Sequence, residues 1–344
     1  MMASVSETTC PDQTDVLKTN GERQTSLHQR AGEARDTVFG RKVFVRAVVE
    51  VSNFCRQNCN YCGMRRDNRN LERYRLSLDQ LLELLLNHRP ASITDINIQA
   101  GEDPVVVREV VIPLVREIRR QTPLGVSVCL GILSNQDYAR LHESGADYYI
   151  IKLETGDEEH YATIHAPGSF SKRIAAIKHL AATGWNVSSG FIVGLPHQTT
   201  EHIRKTLDLL KTLPLAGCSV SPFIAGEQTP YAQSPNGDIE LTLNCLAHMR
   251  LSSPHWVIPA VSAMGIVGKD GYSRAIQAGA NLATINLTPA DLRPDYLLYK
   301  RDRVVMDEER VLNAIDHAGC TPSKTSLCEY LVTPQVHGSR VHGT

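Results

Sequence analysis

The feature that most restricts the fold of this chain is an alternation, repeated along most of its length, of short β-branched runs with amphipathic stretches. Eight runs read as strands: Val43–Val51, Ile93–Gln99, Val126–Leu130, Tyr148–Leu153, Val187–Val193, Gly217–Pro222, Trp256–Ala260 and Leu282–Asn286. Helical periodicity follows nearly all of them. Ser77–Asn87 carries leucines at 78, 81, 82, 84, 85 and 86, and Val105–Arg119 has an apolar face at 106, 110, 111, 114, 115 and 118. Strands that alternate with helices pair in parallel, and eight such units predict an α/β fold of the (βα)8 TIM-barrel type. The barrel is expected over residues 25–332, with an N-terminal helical extension and a C-terminal extension. Residues 1–24 and 333–344, polar and without helical periodicity, are expected to be mobile tails.

In such barrels the reacting groups stand where the strands end, at the carboxyl face. The first strand runs into Cys55-Arg-Gln-Asn-Cys59-Asn-Tyr-Cys62, three thiols within eight residues. Three thiolates can hold three irons of a cubane cluster and leave the fourth open, whereas a closed structural zinc site demands four ligands. No fourth Cys or His lies nearby, the next being His88. Disulfides are the least expected use of these thiols. The chain has nine cysteines, an odd number, and its N-terminus lacks an apolar signal segment, so a reduced, cytoplasmic setting is expected.

Composition excludes more than it names. With 36 basic against 37 acidic residues the formal charge is -1, so no global field favours nucleic acid. No apolar run reaches the roughly 18 residues of a membrane span. The segment Arg65–Arg75 is rich in arginine, but Asp67 and Glu72 interrupt it and no aromatic series accompanies it. It fits a loop that shields the cysteines or docks an electron donor better than a nucleic-acid patch.

The other predicted strand ends are polar or glycine-bearing: Gln99-Ala-Gly101-Glu102-Asp103, Lys152-Leu-Glu154-Thr155, Gly190-Phe-Ile-Val-Gly194-Leu-Pro196, Ile258-Pro-Ala-Val-Ser262 and Asn286-Leu-Thr288-Pro289. Singly, each reads as a turn, a surface ion pair or a helix start. Their recurrence on strands that face the cysteine loop favours a shared site.

These segments, together with Glu72-Arg-Tyr-Arg-Leu76, Tyr161, His165 and Gly279-Ala-Asn281, resemble the branch of radical S-adenosylmethionine (SAM) enzymes that holds biotin synthase, methylornithine synthase and the E-type FeFe-hydrogenase maturase. The resemblance runs from about Ala31 to Val311 and is strongest to the last two. It implies a complete barrel with a 4Fe-4S cluster on Cys55, Cys59 and Cys62, whose open iron binds SAM. One electron then cleaves the sulfonium, and the resulting radical removes hydrogen from a substrate. By motif position, Gly101 and Glu102 would meet the methionyl ammonium, Glu154 a cofactor hydroxyl or ammonium, and Arg173 the carboxylate, while Tyr61 would contact the adenine through its backbone. An electron donor such as flavodoxin or ferredoxin is implied as partner.

Departures from the relatives narrow the reaction. Ser188 stands where biotin synthase has a cysteine for a second cluster, and Cys129 is offset from another such position, which argues against sulfur insertion. Cys320 and Cys328 keep the maturase's auxiliary-cluster spacing, but Leu331 replaces the third ligand. Lys152 replaces an arginine, Ser262 a threonine and Leu292 a tyrosine. The expected activity is therefore hydrogen abstraction from a small, amino-acid-like molecule, with Lys152, Ser262 and Thr288 on the substrate side. The alternatives are maturation of an iron-containing or thioether precursor, and a metal-binding protein without turnover.

Overall fold

The computed structural model describes residues 17–332. Seven parallel strands form one continuous path: β1 (Lys42–Ser52), β2 (Asp95–Ala100), β3 (Gly125–Cys129), β4 (Tyr148–Ile150), β5 (Asn186–Val193), β6 (Gly217–Pro222) and β7 (Leu282–Asn286), in the spatial order β6-β5-β4-β3-β2-β1-β7. In β1, KVFVRAVVEVS, the odd-numbered positions are all Val or Ala while the even-numbered face mixes Phe44 and Val48 with Arg46, Glu50 and Ser52, and the strand is buried from its second residue to its last. Such a run suits a strand covered on one side by helices and on the other by a barrel interior.

The predicted strand Trp256–Ala260 takes a weaker form. It lies between the sheet's two edges and touches each through one parallel bridge, Gly217 to Val257 and Pro259 to Leu282. Val257 N–H donates to the Ala216 carbonyl and Ala260 N–H to the Leu282 carbonyl. Pro259 has no N–H to give, so the ladder cannot run on through it. The barrel wall thus closes here through isolated contacts. The predicted helix after β2 also differs, opening into a π turn over Val107–Val111 before it continues as Ile112–Gln121.

At the N-terminal end of the strands the barrel is plugged. A two-residue strand, β8 (Thr321–Pro322), pairs with the start of β1, and the helix Leu327–Val332 follows. The backbone N–H groups of Leu327 and Cys328 donate to the Asp95 carboxylate at 2.7 and 3.2 Å. Leu327 and Cys328 pack with Phe44, Tyr148, Val257 and Leu282. Cys328 is therefore a core residue at the end opposite the cysteine loop, and Cys320 is buried in the main core.

The helix Gly21–Phe39 packs Leu27 and Ala31 against Ala247. Residues 21–24, expected above to belong to a mobile tail, form its first turn, and Leu17 is buried. The tail boundary is corrected for a tertiary reason: the Gln24 amide donates to Glu240 and Asn244, both at 3.0 Å, contacts that local periodicity does not announce. The rest of the expected tails, 1–16 and 333–344, lies outside the described residues. No helix among the described residues is long and apolar enough to cross a membrane.

Candidate active site

The loop after β1 is fixed by its own polar side chains before any cysteine is reached. The Ser52 hydroxyl donates to Asp103 at 2.8 Å, and fully buried Asn53 donates to the carbonyls of Glu72 and Asp295 while accepting from the Tyr74 N–H. Downstream, the Arg73 guanidinium gathers the carbonyls of Asn53, Met64, Arg65 and Asn68. Arg75 pairs with Asp103 at 2.6 Å and lies 3.9 Å over the Phe54 ring. Two of the five arginines in the basic segment thus organise the cysteine loop from within, while Arg66 and Arg69 stay exposed.

Cys55, Cys59 and Cys62 are free thiols that line one cavity of about 400 Å³. Burial pushes all three thiols up, Cys62 to about 12, and at Cys59 the neighbouring thiols add to it. Thiols so placed are poor anions alone and good ligands for a cation that enters among them. Among the described residues, no three His, Cys, Asp or Glu side chains converge on a point suited to a single metal ion.

Glu102 is almost fully buried, but its carboxylate is already occupied. Oε1 accepts from the Ile132 N–H at 3.0 Å, Oε2 accepts from Arg56 at 3.1 Å and from the Gln57 amide, and Arg173 stands 3.9 Å away. It ties the cysteine loop to the end of β3. Glu102 and Gly101 nonetheless line the same cavity as the three thiols, and these three hydrogen bonds leave the carboxylate one acceptor position for the expected methionyl ammonium. Gly101 is likewise explained by protein: a Cβ there would run into the Phe54 carbonyl and the Cys55 side chain. The backbone that approaches it is the cysteine loop's own.

Glu154 does face the cavity, in a strained conformation. Its φ is 70°, in the left-handed region that β-turn glycines favour, and β5 holds it there. The N–H groups of Leu153 and Glu154 both donate to the Gly190 carbonyl at 2.9 Å, and the Glu154 carbonyl accepts from Ile192. Its Oε2 is 3.3 Å from Lys152 Nζ, near enough for an ion pair but without hydrogen-bond alignment, so this buried oxygen has no hydrogen-bond partner. The buried Tyr61 hydroxyl is also unpartnered.

Arg173 is buried in the first turn of the helix Phe170–Ala182, capped by Ser169. It reaches the Tyr161 hydroxyl at 3.4 Å and lines the same cavity. Lys152 and Ser262 line it as well, Ser262 in hydrogen-bond contact with the Tyr299 hydroxyl at 3.1 Å. Thr288 does not. It is fully buried, and its hydroxyl accepts from the Glu50 N–H at 3.0 Å, so it closes the end of β7 onto β1 and is corrected as a substrate-side group.

Several cavity residues escape a reading of strand ends. Cys129 and Ser188 face the interior, and both Glu50 carboxylate oxygens accept from the single Nη2 of buried Arg303, at 2.8 and 2.7 Å. Arg46, in mid-strand, also lines the cavity. The only signal for it is a charged residue inside a run of valines, at the same two-residue phase as Glu50.

Comparison with known proteins finds relatives along most of the chain. The family profile described as the Radical SAM superfamily matches residues 49–210. The chain is 33% identical over 306 residues to the "[FeFe] hydrogenase maturase subunit HydE" of Thermotoga maritima, covering 89% of this chain and 85% of that one. It is 26% identical over 307 residues to a 3-methylornithine synthase of Methanosarcina acetivorans, covering 88% and 86%. Among solved structures, methylornithine synthase (PylB) superimposes with a TM-score of 0.81 at 24% identity, covering 92% of this chain and 94% of that one.

Proposed function

Because the chain belongs to the radical SAM superfamily, we propose that it binds a 4Fe-4S cluster through Cys55, Cys59 and Cys62 and acts on a small, amino-acid-like substrate inside the barrel. That it is a radical SAM enzyme follows from the family. The choice of residues rests on one observation: the three thiols of a single loop line the same cavity as Glu154, Arg173 and Lys152. When bound, the cluster and SAM supply reductive cleavage of the sulfonium and removal of a hydrogen atom from the substrate.

The chain's own residues have four tasks. Glu154, with its hydrogen-bond acceptor left open, is placed to take a hydroxyl or ammonium of the cofactor. Arg173, held by Tyr161, would take its carboxylate, and Glu102 serves as the clamp that fixes the cysteine loop. The segment around Tyr296 and Tyr299 closes over the cysteines: Leu298 accepts from the Gly63 N–H, and Leu297 packs with Met64 and Cys62. That closure keeps water from the reacting atoms. Lys152 and Ser262 orient the substrate's polar end.

A maturase-type reaction on an iron-containing or thioether precursor is the second reading, favoured by the 33% identity to HydE. The electron donor would be a flavodoxin or ferredoxin, and exposed Arg66 and Arg69 beside the cysteine loop suit its acidic surface. To test the substrate class, the reduced enzyme is incubated with deuterated amino acids and SAM. Deuterium in 5′-deoxyadenosine identifies the molecule attacked. Transfer from no amino acid, with transfer from a thioether or iron-bearing precursor, would move the assignment to the second reading.

A further inference from the structure

The charges that face the cavity are paired at its upper levels and unpaired at its floor. Arg303 grips Glu50, Lys152 stands 3.3 Å from Glu154, and Arg173 stands 3.9 Å from Glu102. Arg46 is a fourth cation in the lining, and no ion pair among the described residues includes it. It is 9% exposed, its Nη1 is buried without a partner, and its one hydrogen bond runs from Nε to the Thr284 hydroxyl at 3.1 Å.

Arg46 lies four residues before Glu50 on β1 and six before Ser52, so roughly 13 Å and 20 Å of strand separate it from the upper site. Of the groups that act on it electrostatically, Tyr148, Cys129, Asp95 and Tyr272, only Asp95 is a carboxylate. Asp95 is already engaged. Its oxygens accept from the Thr94 hydroxyl and from the N–H groups of Leu327 and Cys328. A guanidinium does not shed its proton to escape burial, so an uncompensated arginine here disfavours the empty floor and favours one that holds an anion.

We propose that Arg46 and Thr284 form a carboxylate subsite at the barrel floor, and that the substrate is an acid whose carboxylate sits there while the rest of the molecule rises toward Lys152 and Glu154. The inference rests on the reading above that this cavity takes a small substrate. The chemistry selects the ligand class. The guanidinium fork matches a carboxylate's two oxygens. Because the Thr284 oxygen accepts from Arg46, its own O–H proton is free to donate to the same anion. A single negative charge balances the one unpaired cation, whereas a phosphate dianion would leave excess charge in a buried place.

The test uses crystals of the full, anaerobically reconstituted protein soaked in sodium bromide, then in bromide with butyrate or with butyramide. Bromide is expected against the Arg46 guanidinium and the Thr284 hydroxyl, displaced by butyrate and kept in uncharged butyramide. No bromide there, or bromide that butyrate does not displace, overturns the proposal, the second result marking a site for inorganic anions only. In parallel, Arg46→Met is followed by thermal unfolding. Without carboxylate it should melt no lower than the wild type, and butyrate should raise the melting temperature of the wild type alone. A variant that melts lower, or does not fold, marks Arg46 as structural and overturns the proposal. None of these readouts requires SAM cleavage, so their failure is distinguishable from failure of the enzymatic assignment.

Discussion

Lys152 and Glu154 bring Nζ and Oε2 to 3.3 Å inside the cavity, and they do so because Glu154 is bent into a left-handed backbone conformation against the Gly190 carbonyl. The kink costs stability and aims the carboxylate, a trade that is found at functional sites.

Glu154→Gly should therefore gain stability, because relief of the left-handed backbone, about 1–3 kcal/mol, exceeds the roughly 0.5–1 kcal/mol that glycine costs in backbone entropy. It should at the same time weaken SAM binding at least tenfold. Urea denaturation and equilibrium dialysis measure the two effects. Loss of stability with unchanged binding would assign Glu154 a structural role.

Glu102→Ala removes the acceptor of the buried Ile132 N–H and frees Arg56 and Gln57. An unpaired buried donor costs about 1–3 kcal/mol. The expected outcome is a lower unfolding midpoint together with fewer irons retained per chain after reconstitution. Glu102→Gln, which still offers an oxygen to Ile132, should recover part of both.

Gly101→Ala tests the packing of the cysteine loop directly. The added methyl meets the Phe54 carbonyl and the Cys55 side chain, so the loop's backbone must move. Iron loading should fall by more than half while the far-UV circular dichroism stays that of the wild type. Full loading would mean that the loop yields without losing its thiol arrangement.

Acid sensitivity should trace in part to His248. Burial holds its pKa down, to about 4 from 6.5, beside the Ser252 hydroxyl. The folded state thus keeps His248 neutral while the unfolded chain binds a proton. Its contribution is whole above pH 6.5 and is lost as the pH falls toward 4, up to about 3 kcal/mol. His248→Gln should flatten the stability profile across that window, which urea titrations at successive pH values would show. An unchanged slope would contradict the assignment.

What the sequence made legible was whatever is local in the chain. Cys55, Cys59 and Cys62 stand in one loop, and the valine-rich β1 before it announces a buried parallel strand. Side-chain direction at strand ends was less legible, because it depends on neighbours distant in sequence. Thr288 looked like a rim residue, yet its hydroxyl closes onto Glu50. Nothing near Glu102 in sequence announces that folding delivers Arg56, Gln57 and Ile132 to its carboxylate. The segment Trp256–Ala260 has strand composition, but Pro259 withholds the donor that a full ladder needs. Arg46 stands in mid-strand, where nothing local says whether a charged residue faces a cavity or a neighbouring side chain.

The most direct test is anaerobic reconstitution followed by a SAM-cleavage assay with dithionite, run on the wild type and on Cys59→Ala. The wild type should hold about four irons per chain and release 5′-deoxyadenosine, and the variant should lose both. Continued cleavage by the variant, or a wild type that takes up one zinc and leaves SAM intact, would contradict the account.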